Sequence, residues 1–161
     1  MTTVIRNAIE ADVPEILTLI RALAAYERAP DAVKATEADL RKHGFGPRAY
    51  YQCLLAEADG KRAGFAFYFF DYSTWMGRPG IYVEDLFVYP EFRGRGIGKA
   101  LLRRVAAVAV EKGCARLKWE VLDWNTPAIE FYSTMGAELM TEWRTMRVTG
   151  EDLARLAEAA Q

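Results

Sequence analysis

The segment that most constrains this chain is a glycine-rich turn between an apolar strand and an apolar helix. A strand pattern over residues 81–89 is stopped by Pro90, and glycines follow at positions 94, 96 and 98. A helical stripe comes next, made of Leu101, Leu102, Val105, Ala106, Val108 and Ala109. Glycines let successive N–H groups point inward without a Cβ clash, and a helix start adds unsatisfied donors and a positive dipole end. The segment therefore predicts a cradle for a phosphate group.

Two common nucleotide-binding motifs are excluded here by residue identity. A Walker A loop would need glycine in place of Arg93 and serine or threonine in place of Ala100. A dinucleotide fingerprint beginning at position 94 would need its third glycine where Lys99 stands, and one beginning at position 96 would need it where Leu101 stands. The phosphate ligand is therefore held by some other kind of loop.

Length and composition limit the class of protein. At 161 residues and 52% hydrophobic content, the chain suits a single domain over residues 1–161 with a sizeable core. It has no apolar run of about 18 residues and no secretory signal pattern, so we expect no membrane association. Cys53 and Cys114 are too few for a disulfide framework or a structural zinc site. We expect a cytoplasmic protein with reduced thiols and no metal.

Charge is unevenly distributed along the sequence. The formal net charge of −1 argues against a nucleic-acid partner. Residues 93–118 hold eight basic side chains and one acidic one, a net of +7 that leaves −8 on the rest of the chain. The basic block indicates an anionic ligand near residues 93–118, and the acidic remainder indicates, more weakly, a cationic ligand at another part of the chain. The alternative is that the basic block is only a solvated helix face.

Periodicity and turn residues predict the order β-α-α-β-β-β-α-β-α-β and a terminal helix. Strands are expected over residues 3–8, 50–58, 63–72, 81–89 and 117–122, with one or two more over 137–148. Helices are expected over 13–28, from Thr36 to about Gly44, from the glycine-rich turn to Gly113, and over 126–134 and 151–160. Asp12 is the expected N-cap of the first helix, and Asp59-Gly60 a hairpin turn. The order predicts a mixed α/β layer fold with an antiparallel meander followed by a βαβ crossover.

Two motifs resemble those of one superfamily. Arg93-x-x-Gly96-x-Gly98 resembles the acetyl-CoA pyrophosphate loop of the GNAT N-acetyltransferases, and residues 125–132 resemble their Asn-x-x-Ala-x-x-x-Tyr segment. Segments 23–27, 64–70, 75–77, 82–88, 123–125 and 142–144 resemble the diamine (spermidine/spermine) acetyltransferase branch and its thialysine-acetylating relatives. The resemblance covers about residues 4–158. It implies a GNAT fold, with a mostly antiparallel mixed sheet flanked by helices, an acetyl-CoA co-substrate, a small amine substrate and a homodimer.

The resemblance also implies how the co-substrate is held. Backbone N–H groups near Arg95, Gly96, Gly98 and Lys99 would bind the pyrophosphate, and strand main chain would pair with the pantetheine arm. The predicted cofactor-binding residues are Phe87, Val88, Arg93, Arg95, Gly96, Gly98, Lys99 and Asn125. Tyr132 would reach the cofactor sulfur as general acid. The alternative for Tyr132 is a core tyrosine with its hydroxyl at the rim.

The chemistry of amine acetylation requires a base. An alkyl amine with a pKa of about 10.4 is almost fully protonated at pH 7, so a proton must leave before nitrogen attacks the thioester. Glu84 and Asp85 supply carboxylates, but neighbouring strand residues face opposite ways unless the strand is bulged. The resemblance implies such a bulge, with Glu84 as general base through water and Asp85 as the ammonium anchor. The alternative is that one of the two is a solvent-facing charge.

The resemblance places four further side chains along the amine channel: Tyr26, Glu27, Trp75 and Trp143. Carboxylates and aromatic faces suit a flexible cation, although Tyr26 and Glu27 could simply end their helix and the tryptophans could be core residues. Cys53 and Cys114 have no evident histidine partner, so direct attack in a ternary complex is favoured over an acyl-cysteine route.

Two alternative functions stay open at the level of sequence. One is acetylation of a protein lysine or N-terminus. The other is a non-catalytic acyl-CoA-binding module, which would keep the cradle and tend to lose Glu84 and Tyr132.

Overall fold

The computed structural model describes residues 2–158, which belong to two compact units, residues 1–120 and 121–161. The first unit contains strands β1 (Thr3–Asn7), β2 (Gln52–Ala58), β3 (Lys61–Ser73), β4 (Arg78–Val88) and β5 (Leu117–Lys118). Its helices are α1 (Val13–Tyr26), α2 (Glu37–Phe45) and α3 (Ile97–Glu111). The second unit contains helices α4 (Thr126–Thr134) and α5 (Gly150–Glu158).

The five strands form one sheet in the order β1-β2-β3-β4-β5. The first four are antiparallel neighbours, whereas β5 pairs in parallel with β4 after the crossover through α3. Asp59 and Gly60 both have positive φ, 50° and 75°, in the tight turn between β2 and β3, as the hairpin signal predicted. The predicted α/β fold, a mostly antiparallel mixed sheet with helices on it, is confirmed.

The sheet is buried on both faces. Leu54 packs in a cluster with Ile97, Leu101 and Val105 of the α3 side, whereas the next residue, Leu55, packs with residues of α1 on the opposite face. Side chains alternate across a strand, so a central strand covered on both faces needs apolar residues at consecutive positions. This explains why the β2 and β3 segments lack the polar alternation of a half-exposed strand.

Asp12 stands at the predicted N-cap position of α1, but its side chain does not make the expected hydrogen bond to the helix. Asp12 precedes α1, but its carboxylate accepts from the Ile9 N–H at 2.8 Å and from Arg6 Nη1 at 2.7 Å, and it makes no side-chain cap to α1. The Arg6 guanidinium lowers the pKa of Asp12 to about 2. Asp12 therefore ties the end of β1 to the turn before α1. Thr36, in contrast, caps α2 with its side chain, which accepts from the Asp39 N–H at 3.1 Å.

The second unit departs most from the sequence expectation. The helix predicted over residues 126–134 is confirmed as α4, and the terminal helix is observed as α5 up to Glu158, with the rest of its predicted length outside the described residues. The strands predicted over residues 137–148 are wrong: between 121 and 158 the described chain forms helices, turns and irregular segments but no strand. Residues 138–158 are all exposed, so nothing buries an apolar strand face there. β5 is also shorter than predicted, ending at Lys118.

Within residues 2–158, no helix combines the length and apolar character of a membrane span.

Candidate active site

The glycine-rich turn forms an open cradle at the start of α3. Gly94 and Gly96 have φ of 73° and 76°, and a Cβ placed at either would meet no atom within 4 Å. The first hydrogen bond of α3 joins the Ala100 N–H to the Gly96 carbonyl at 2.9 Å. The N–H groups of the first helical turn, among them those of Gly98 and Lys99, therefore point out of the helix end. This geometry fits an anionic group such as a phosphate.

The pairing of β4 with β5 stops partway along β4. In the described part of the chain β4 pairs with β5 only at Ile81 and Tyr82, although β4 continues to Val88. The edge of β4 from Val83 onward therefore has main-chain groups that the β5 ladder does not use. Phe87 and Val88, predicted to pair with the pantetheine arm, lie on this stretch of β4.

A bulge in β4 brings two carboxylates together. Phe67 of β3 pairs with Asp85, whereas the next residue, Tyr68, pairs with Val83. Glu84 is therefore the extra residue of the β4 strand, and the alternation of side chains is broken at this position. The bulge that the resemblance implied is present, and it removes the geometric objection to Glu84 and Asp85 lining one site.

The carboxylates around Asp85 strongly influence its ionisation. Burial, followed by the charges of Glu84 and Glu27, raises the pKa of Asp85 to about 7. Burial also raises the pKa of Glu27, which lies immediately after the end of α1. Glu27 and Glu84 are therefore both near enough to Asp85 for their charges to act on it. A group of neighbouring acids with raised pKa values favours a cationic ligand, since a positive charge relieves the mutual repulsion.

Sequence reasoning missed two residues next to Glu84. The Tyr82 phenol is hydrogen-bonded to the carboxylate of Glu120, and its pKa is raised by burial and by that carboxylate. The Tyr82 ring stacks on Phe69 with centroids 5.2 Å apart. Burial and the charge of Glu120 together raise the pKa of Glu84. No sequence signal pointed to Glu120, because the pairing that places β5 beside β4, Ile81 with Leu117 and Tyr82 with Lys118, exists only in the folded sheet.

Arg93 lies closer to α1 than its place in the motif suggests. Its Nε donates to the Val88 carbonyl at 2.9 Å. Its Cζ lies 4.8 Å from the centroid of the Tyr26 ring and 5.4 Å from that of Phe87. The guanidinium thus packs on two aromatic rings at the end of β4.

The two tryptophans predicted to line the amine channel are both exposed. Trp75 is 89% exposed in the turn between β3 and β4, and Asp85 is seven residues beyond the first residue of β4, about 23 Å along the strand. The chain itself does not bring Trp75 to Asp85. Trp143 belongs to the second unit, in the segment between α4 and α5, and is 66% exposed.

The second unit presents the other motif on a well-capped helix. The Asn125 side chain is buried and accepts from the Ala128 N–H at 3.4 Å, which fixes the start of α4. Tyr132 follows Ala128 by one helical turn, so both lie on one face of α4. The Tyr132 ring is half-buried beside Phe131, with centroids 5.3 Å apart.

Thiol and metal chemistry have little support in the described residues. Cys53 is buried, and burial raises the pKa of its thiol well above the usual range, which disfavours a nucleophilic thiolate. His43 is exposed on α2. Residues 2–158 contain no group of three His, Cys, Asp or Glu side chains arranged to hold a metal ion.

Comparison with known proteins gives consistent matches. The sequence profile of the Acetyltransferase (GNAT) family matches residues 15–137. The chain is 46% identical to a thialysine N-epsilon-acetyltransferase of Bos taurus, over 95% of this chain and 96% of that protein. It is 37% identical to the spermidine/spermine N(1)-acetyltransferase-like protein 1 of Homo sapiens, over 95% of this chain but 23% of that protein. Among solved structures, an integron cassette protein from the mobile metagenome of V. cholerae superposes with a TM-score of 0.82 and 28% identity, over 98% of this chain and 99% of that one.

Proposed function

Because this chain belongs to the acetyltransferase (GNAT) family and is an N-acetyltransferase acting on an amine, we propose that it acetylates a small diamine, polyamine or lysine-like amine from acetyl-CoA. The single observation that carries the proposal is the β4 bulge, which sets Glu84 beside Asp85. The names of the bovine and human relatives denote small aliphatic amines, which supports the same substrate class.

The cradle fits the diphosphate of acetyl-CoA. The space at Gly94 and Gly96 is open, and residues 93–118 carry a net charge of +7 that suits an anionic ligand. We assign the phosphates to backbone N–H groups at Arg95, Gly96, Gly98 and Lys99, and the pantetheine arm to the main chain of Phe87 and Val88. When bound, acetyl-CoA supplies an acetyl group activated as a thioester.

In this proposal, the acids near the bulge bind the amine and remove its proton. Asp85 attracts the ammonium group and holds it at β4. In the free protein, burial and neighbouring charges raise the pKa of Asp85, and the bound ammonium group lowers that pKa again, so that the carboxylate is ionised in the complex. Glu84 then accepts a proton from the amine through a water molecule. Because the pKa of Glu84 is raised, the carboxylate is a better base than an exposed glutamate. The neutral nitrogen can then attack directly, without an acyl-cysteine.

The second motif supplies the remaining roles by resemblance. We propose that Tyr132 donates a proton to the departing thiolate and that Asn125, by capping α4, fixes the helix that carries it. Tyr26 and Glu27 are proposed to line the amine channel. Trp143 is proposed to line the same channel. Trp75 lies far along the hairpin from Asp85, so we propose that it reaches the channel of the other subunit in a homodimer. The homodimer, the cytoplasmic location and the single domain over residues 1–161 stay predictions.

The test is a thiol-release assay across a panel of amines, with the mass of each product. The panel contains spermidine, a short diamine, lysine, thialysine and a lysine-containing peptide. We expect release of free CoA with small amines and a product heavier by one acetyl group. Activity with the peptide alone would favour the protein acetyltransferase, and binding of acetyl-CoA without release for any amine would favour the non-catalytic module.

A further inference from the structure

We propose that Arg93 is a positioning residue that holds the end of α1 against β4, rather than a ligand of the diphosphate. The proposal rests on the proposed function, because it assigns a role in amine binding. It departs from the motif-based expectation, in which Arg93 belongs with the cofactor-binding residues.

The Arg93 side chain contacts the end of β4 and the last residue of α1. Nε donates to the Val88 carbonyl at 2.9 Å, which fixes the side chain at the end of β4. The guanidinium carbon then lies over both aromatic rings, 4.8 Å from the Tyr26 centroid and 5.4 Å from the Phe87 centroid. A planar guanidinium can donate in its plane and stack on rings through its face at the same time, which an ammonium cannot do.

These contacts connect two parts of the amine site. Tyr26 is the last residue of α1 and packs on Phe87 with centroids 6.4 Å apart. Glu27 follows Tyr26, and its charge acts on Asp85. Phe87 follows Asp85 by two residues, so both side chains face the α1 side of the sheet. Arg93 therefore holds Tyr26, and with it Glu27, in place opposite Asp85.

The inference separates two roles that the sequence motif cannot distinguish. Loss of a residue that binds the diphosphate should slow the reaction only with acetyl donors that contain a diphosphate. Loss of a residue that positions α1 should weaken use of the amine to the same extent with every acetyl donor. S-acetyl-pantetheine carries the same thioester without the diphosphate, so a comparison of the two donors distinguishes the roles.

The experiment measures kcat/KM with both donors for Arg93→Gln, Arg93→Lys and Arg95→Gln. For Arg93→Gln we expect kcat/KM for the amine to fall roughly tenfold, the size expected when a charge-assisted hydrogen bond and a cation–π contact are lost. The preference for acetyl-CoA over S-acetyl-pantetheine should stay that of the wild type. Arg95→Gln removes the same charge from the same loop and should reduce that donor preference.

Arg93→Lys keeps the charge but loses the planar group, so we expect it to behave like Arg93→Gln. Rescue by lysine, or a donor preference that falls in Arg93→Gln, would overturn the proposal and return Arg93 to the diphosphate. A wild-type protein that acetylates no small amine would instead refute the proposed function.

A second readout uses the ligand-free protein. Arg93→Gln and Tyr26→Leu each remove one side of the same contact, so their effects on the melting temperature should be less than additive in the double variant. Fully additive shifts would show that Arg93 does not act through Tyr26. This measurement holds even if the kinetic variants lose activity altogether.

Discussion

Glu84 and Asp85 are consecutive residues of β4, yet the Glu84 carboxylate is close enough to contribute to the raised pKa of Asp85. The cause is the bulge at Glu84, which shifts the register between β3 and β4 by one residue. A regular strand would direct the two side chains to opposite faces. The acids of the proposed amine site are therefore a product of one irregularity in the sheet.

Asp85 makes the stability of the free protein depend on pH. Its pKa rises from 3.8 to about 7 on folding, so the folded protein binds this proton more tightly than the unfolded chain. The contribution is complete below pH of about 4 and is lost as pH rises through about 7. Asp85→Asn should therefore be more stable than the wild type at pH 8, by on the order of 2 kcal/mol after allowance for solvent screening.

Thermal denaturation of the ligand-free protein between pH 5 and 8 checks this prediction. The exposed Asp31 provides the control, because Asp31→Asn removes an equal charge and should leave the pH dependence of the wild type unchanged. Equal pH slopes for Asp85→Asn and wild type would show that Asp85 is ionised throughout.

The charge of Glu120 should affect the pH at which Glu84 can act as a base. Because the charge of Glu120 contributes to the raised pKa of Glu84, Glu120→Gln should lower that pKa and move the acidic limb of the kcat/KM profile to lower pH. Tyr82→Phe, which frees the Glu120 carboxylate from its phenol, gives a second variant on the same pair. Glu111→Gln is the control, since Glu111 is exposed at the far end of α3. An acidic limb that does not move in Glu120→Gln would exclude this coupling.

Gly96→Ala should separate binding from stability. A Cβ at Gly96 enters the open cradle and strains a backbone with φ of 76°, at a cost of about 1–2 kcal/mol of stability. Gly113→Ala, beyond the other end of α3 at φ of 70°, should cost about the same. Calorimetry should find CoA binding weakened at least about tenfold in Gly96→Ala, as when hydrogen bonds to a charged group are lost, and unchanged in Gly113→Ala. Equal CoA affinity in both variants would rule out the cradle.

Tyr132→Phe tests the proposed general acid. Loss of the hydroxyl should lower kcat by about 10²-fold or more, the usual effect of removing an acid catalyst, while KM for the amine stays near that of the wild type. The neighbouring Phe131→Leu serves as a packing control on α4. Wild-type turnover in Tyr132→Phe would remove Tyr132 from this role.

Local signals predicted much of the fold. Asn125 and Pro127 mark the start of α4 and Gly136 its end, and the predicted bounds of 126–134 agree with the structure. The strands expected over 137–148 were wrong because apolar residues predict a strand only where a partner strand and a covering layer exist. Residues 138–158 are exposed, so that condition fails.

The candidate site was predictable where its residues are neighbours in sequence. The glycine-rich turn and the Glu84-Asp85 pair stand in continuous segments. The direction of Arg93 was not predictable, because it depends on Tyr26 at the distant end of α1. Glu120 was missed for a similar reason, since it lies two residues beyond β5 and comes near Glu84 only because β5 pairs with β4 in the folded sheet.

The pH–rate profile of Glu84→Gln tests the central claim most directly. At saturating acetyl-CoA we expect kcat/KM for the amine to fall by about 10²-fold or more. The loss should be greatest at mildly acidic pH, where the free amine is scarcest, and Glu111→Gln should match the wild type. A Glu84→Gln variant that keeps the wild-type rate and profile would show that the bulged strand does not supply the base.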